Sequence, residues 1–114
     1  KGGPFEGSTE ERVADLAHRM AGMFETVVPL LRSMERYRQD ERLATAREET
    51  GGIARAFVES ALAPELTEGP PELADVLGAV VSTSAWGHLR RHQGFDTDRA
   101  EATMRAAILR LKAA

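Results

Sequence analysis

Apolar residues recur along this chain at intervals of three and four, the spacing of one face of an α-helix. No stretch alternates apolar and polar positions as a half-buried strand would, and β-branched residues are sparse. The pattern predicts an all-α fold, a helical bundle of four to five helices. Its longest seam runs through Leu16, Met20, Met23, Val27, Leu30, Met34 and Tyr37, and is widened by Val13, Ala17, Phe24, Val28 and Leu31. Ser8 and Glu11 have the spacing of a capping box, which starts the first helix at Ser8. Residues 1–7, rich in Gly and holding a Pro, read as a linker, and 8–114 as one domain. Pro29 lies inside the seam and removes a helical hydrogen bond. Because the seam continues past it, the prediction is a kinked helix or a nearly collinear pair.

A second helix is predicted over about Asp40–Leu62, with Leu43, Ala46, Thr50, Ile53, Phe57 and Ala61 facing inward. Gly51 and Gly52 interrupt it and suggest a hinge, a bend or close packing. Pro64 ends it. A third helix is predicted over about Pro71–His92, opened by a first-turn proline and closed by Gly94, with Phe95 placed to fold back onto Leu89. Asp96 caps the last helix, about Thr97–Lys112. Both of these helices carry two apolar stripes. On the third, Leu73, Val76, Leu77, Val80 and Val81 oppose Gly78, Ala79, Ser82, Ala85, Trp86 and Leu89. On the last, Ala100, Met104, Ala107, Ile108 and Leu111 oppose Ala102, Ala106, Leu109 and Ala113. A peripheral helix of a monomer needs to bury one stripe only. The expectation is a homodimer in which the last two helices pair with their copies as a four-helix bundle, with Val80, Ser84, Ala100, Met104, Ala107, Ile108 and Leu111 at the interface. The alternative is that both helices are central in the monomer.

Composition narrows the function classes. The chain has 114 residues, no cysteine and a formal charge of −3. Disulfide frameworks, Cys-ligated zinc and thiol catalysis are therefore excluded. No apolar run approaches the ~20 residues of a membrane span, and no signal-peptide pattern is visible. A pI near 5.6 argues against this segment gripping phosphate backbones by itself.

Candidate chemistry is thin. His88 and His92 stand one helical turn apart, a possible metal-ligand spacing, but no third ligand is evident, and a solvated helix C-terminus suits both. His18 is isolated. The carboxylate pairs Glu10-Glu11 and Glu48-Glu49 point away from each other on a helix and form no acid/base dyad. Ser82, Thr83 and Ser84 lack a nucleophile elbow, and Gly51-Gly52 lacks the rest of a phosphate loop. No enzyme and no cofactor are expected. The Met and aromatic residues carry more. Met20, Met23, Phe24, Val27, Phe57 and Trp86 would suit either an ordinary core or a cavity for a small apolar molecule.

The string TSAWGHLRRHQGFDTDRAEATMRAAILRLKAA resembles the carboxy-terminal end of TetR/AcrR-type transcriptional regulators. The matching positions are Trp86, Leu89-Arg90, Gln93-Gly94-Phe95-Asp96 and the Ala-rich run from Ala100 to Leu111. The run MFETVVPLLRSMERYR, with its proline-bearing segment at 24–30, and APEL at 63–66 are also similar to the family. The resemblance extends over roughly residues 8–114. It implies a cytoplasmic homodimeric regulator, usually a repressor, released from operator DNA by an effector bound among the helices. Members pair through their last two helices and hold DNA with an amino-terminal helix-turn-helix. That signature lies nowhere in these 114 residues. The resemblance thus implies the effector-binding and dimerisation part of a longer protein, which meets DNA only through the missing part. The competing expectation is a helical protein–protein interaction domain with no ligand and no DNA role.

Overall fold

The structure is a computed structural model and describes residues 5–113. All its regular elements are helical: α1 (Thr9–Arg36), α2 (Asp40–Ala61), α3 (Ala63–Glu68), α4 (Leu73–Val80), α5 (Thr83–Gly87), which runs on into a π-helical turn (His88–His92), and α6 (Thr97–Ala113). Among the described residues no helix is long and apolar enough to cross a membrane. The helix α1 is the backbone of the bundle. At ~1.5 Å rise per residue its 28 residues account for the longest dimension of the molecule, 43 Å. It packs on α2 along one side and on α6 along another.

The capping box forms as its sequence predicts: Ser8 Oγ accepts from the Glu11 amide at 3.1 Å, and Glu11 Oε1 accepts from the Ser8 amide at 2.8 Å. Pro29 sits inside one continuous helix, on its exposed side. Gly51 and Gly52 likewise lie within an unbroken α2 and are exposed. Gly94 takes a φ of 70°, the left-handed conformation that ends a helix, and the Phe95 amide donates back to the Leu89 carbonyl at 3.0 Å. Asp96 Oδ1 accepts from the Arg99 amide at 2.8 Å and caps α6.

Four expectations are corrected. The segment 1–7 is not wholly a linker: residues 1–4 lie outside the described part, but Phe5 is buried and meets the Phe57 ring edge-on at 5.9 Å. The segment between the second and third predicted helices also folds, as α3, around the first-turn Pro64. The inward face of α2 passes through Ala54 and Val58, and Ile53 points outward with 49% of its surface exposed. The third helix is two helices. Val81 leaves helical geometry and Ser82 is extended, with its Oγ donating to the Ala79 carbonyl at 2.7 Å and accepting from the Ala85 amide at 3.1 Å. One serine ends α4 and begins α5, as short hydroxyl side chains do when they compete for the backbone.

The core is built on α1 with Leu16, Met20 and Phe24, closed by Val58 and Leu62 from the α2–α3 junction, Leu77 from α4, Trp86 from α5 and Ile108 from α6. Trp86 and Phe24, the two largest fully buried side chains, meet with ring centroids 6.3 Å apart.

Candidate functional site

The break at Val81–Ser82 leaves space. Two clefts open beside it and share Arg47, Thr83 and Ser84. The first, of about 370 Å³, lies between α2 and α4, with Phe24, Ala54 and Val81 as its apolar surface and Arg55 and Asp75 at its edge. The second, of about 380 Å³, lies between α1 and α5 with its π turn. Val28 and Leu31 form its floor, and Arg32, Arg47 and Arg91 stand around it. Both fall in the size range of small-molecule sites, about 300–1,000 Å³. Their walls follow helical spacing: Val28, Leu31, Arg32 and Glu35 on α1, and Thr83, Gly87, His88 and Arg91 across α5 and the π turn.

One carboxylate fixes the α5 wall. Glu25 on α1 accepts from Trp86 Nε1 at 2.7 Å, from Arg90 Nε at 2.7 Å and Nη2 at 3.1 Å, and from Thr97 Oγ1 at 3.3 Å. Arg90 also donates to the Phe95 carbonyl at 2.8 Å. A single side chain therefore ties α1 to α5, to the π turn and to the start of α6. The fork of Arg90 holds the Glu25 carboxyl below its ordinary pKa, with the Trp86 and Thr97 donors acting the same way against desolvation. His88 and His92 stack edge-on at 5.3 Å on the rim of the second cleft. Among the described residues no group of three or more His, Cys, Asp or Glu side chains is placed to hold a metal ion.

Of Met20, Met23, Phe24, Val27, Phe57 and Trp86, expected either as core or around a pocket, most serve as core. Met20, Phe24 and Trp86 are filled-in core, exposed by no more than 1%, while Met23 and Phe57 pack against that core and Val27 is half-buried. Phe24 alone of the six reaches a cleft. The physical reason is that large apolar side chains are worth most when wholly buried, so the bundle spends them on its core. The cleft residues the sequence did not single out are Arg32, Arg47, Arg55 and Arg91, which read as solvated helix faces; the i, i+4, i+8 spacing of Thr83, Gly87 and Arg91 is the signal that marks one wall.

The expected dimer face is also reassigned. Ala100, Met104 and Ile108 are buried against α1 and α4 within a single chain, so they are not free to meet a partner. Ala107 and Leu111 are half-buried on the same side, and Val80 packs against the core. Ser84 is exposed but belongs to the clefts. On the other stripe of α6, Ala102 and Ala106 are exposed, while Leu109 packs partly against the core; the side chain of Ala113 lies outside the described residues. Comparison of the chain with protein-family models, with curated proteins and with solved structures gave no match.

Proposed function

We propose that this chain is the effector-sensing and pairing part of a TetR/AcrR-like transcriptional regulator, with the effector held in the clefts that meet at Arg47, Thr83 and Ser84. The observation that carries the reading is the position of those clefts: α1, α2, α4 and α5 all contribute to their walls. A molecule seated there touches most of the bundle at once. It can alter a distant DNA-binding part only by preferring one arrangement of those helices over another. The helix break at Ser82 and the π turn are the elements whose rearrangement would relay the preference, since π turns often sit at functional positions. The family resemblance of residues 8–114 and the outward stripe of α6 support the same reading.

Two measurements test it. Sedimentation equilibrium at micromolar concentration should give twice the 12.4 kDa mass of one chain. A thermal-shift screen of small metabolites should raise Tm for ligands of the native state. A monomer that no small molecule stabilises would refute the proposal. A second reading, a helical interaction domain without a ligand, is favoured by Leu30 and Tyr37, which lie on one face of α1 with 54% and 67% of their surfaces exposed. It predicts an empty ligand screen.

A further inference from the structure

We propose that the cleft between α1 and α5 takes the head of a small organic anion, a carboxylate or phosphate, whose short apolar tail runs into the adjoining cleft over Phe24, Ala54 and Val81. The inference rests on the clefts being the ligand site proposed above, and adds the chemistry of the ligand.

Charge carries it. The chain as a whole is acidic, at −3, yet three guanidinium groups stand around this one concavity against a single carboxylate, Glu35. Four arginines elsewhere are held by carboxylates: Arg12 by Glu65, Arg19 by Asp15, Arg55 by Glu59 and Asp75, and Arg90 by Glu25. What sets the cleft apart is that three guanidinium groups share one concavity with so little carboxylate to meet them. Arg47 approaches Glu35 only to 3.8 Å, with both side chains more than half exposed. Arg32 and Arg91 form no ion pair among the described residues. Gathering like charges costs free energy, and a concave site with low-dielectric walls focuses their field. An anion offsets that repulsion, and guanidinium forks match the planar oxygens of carboxylate and phosphate. The hydroxyls of Thr83 and Ser84 stand at the junction as further donors.

The adjoining cleft is fit for a tail, not for a second head. Its own arginine, Arg55, is already engaged with Glu59 at 3.2 Å and Asp75 at 3.4 Å. Phe24, Ala54 and Val81 give it an apolar surface, beside Gly51, Gly78 and the hydroxyls of Thr50 and Ser82. A ligand with charge at one end and hydrocarbon at the other satisfies both halves, and neither an apolar molecule nor a bare ion does.

The test is calorimetric titration of the 114-residue chain with octanoate, octyl phosphate, octanol, acetate and inorganic phosphate. Octanoate or octyl phosphate should bind, and the tighter of the two identifies the head. Octanol should bind about ten-fold more weakly or worse, the loss expected when a charge-assisted hydrogen bond is removed. Acetate and inorganic phosphate should bind more weakly still. Arg47→Gln and Arg91→Gln should each weaken the better anion by about ten-fold, while Arg110→Gln, exposed on α6 and outside both clefts, should change it little. All three positions are on the surface, and circular dichroism will report whether the fold is kept. The inference is overturned if octanol binds as well as the anions, if Arg47→Gln and Arg91→Gln bind like the parent, or if no probe binds. Sedimentation of the same samples separates the two proposals. A monomer that binds octanoate overturns the regulator reading alone, and a dimer that binds octanol equally overturns the anion site alone.

Discussion

Glu65 shows how much one side chain can hold in so small a bundle. It accepts from Arg12 Nη2 at 2.8 Å and Nη1 at 3.0 Å and from Thr9 Oγ1 at 2.7 Å, and so locks α3 to the first turn of α1. Arg12 also donates to the Ala61 carbonyl, which fixes the end of α2. The Arg12 hydrogen bonds lower the Glu65 pKa from 4.5 to about 2, and its side chain is only 15% exposed. A carboxylate whose folded-state pKa is depressed lends stability above its unfolded pKa and loses it as pH falls through the folded value. The contribution of Glu65 is therefore complete above about pH 4.5 and fades toward pH 2. Glu65→Gln should cost about 2 kcal/mol in urea unfolding at pH 7, and the gap to the parent should narrow steadily at lower pH. A gap of constant size down to pH 2.5 would show that charge is not its origin. Glu25, further along α1, makes a parallel prediction. Glu25→Ala strands the indole N–H of Trp86 and the fork of Arg90, and should destabilise the chain by about 1–3 kcal/mol. Trp86, the only tryptophan, reports this directly through its fluorescence during unfolding.

At the scale of the element, Gly51 and Gly52 invite a direct experiment. They lie within α2, are exposed, and a Cβ added at either would meet nothing within 4 Å. With no close approach to protect, Gly52→Ala should raise stability by about 0.5–1 kcal/mol through helix propensity and reduced freedom of the unfolded chain. The change should appear as a higher urea midpoint with an unchanged slope. Loss of stability would mean that the pair serves a bend that Ala opposes. The helices themselves were legible in the sequence because their signals are local: the capping box at Ser8, the Gly94 terminator, the Asp96 cap and the seam of α1 each depend on a few neighbouring residues. The split of the third helix was not, because a stripe counted at 100° per residue passes through Ser82 without registering that its hydroxyl ends one helix and starts another. The clefts were illegible for a related reason. They exist where that split leaves the packing open, and arginine on a helix looks the same in sequence whether it faces water or a concavity.

At the scale of the whole molecule, the proposed pairing falls on the outward side of α6. The stripe of Ala100, Met104 and Ile108 is consumed by the core and Leu109 packs partly against it, so the pairing proposed above would use the exposed Ala102 and Ala106. Small residues at those positions let a second helix approach closely, and a twofold axis would bring each position near its own copy. A stable dimer needs about 1,200–2,000 Å² of buried surface, more than one helix face offers, so in the proposed pairing α4 and α5 would join α6. Val76 on α4, 44% exposed, is an available contribution. A substitution on a twofold interface acts twice, which makes charge a sensitive probe. Ala106→Glu should convert a dimer into a monomer in sedimentation, with the circular dichroism of a folded helical chain. Ala100→Glu should instead unfold the chain, because position 100 is wholly enclosed and an unpaired carboxylate there has no partner. The contrast distinguishes an interface from a core: if Ala106→Glu leaves the mass of the parent dimer unchanged, the partner sits on another face, and the pairing assigned to α6 is wrong.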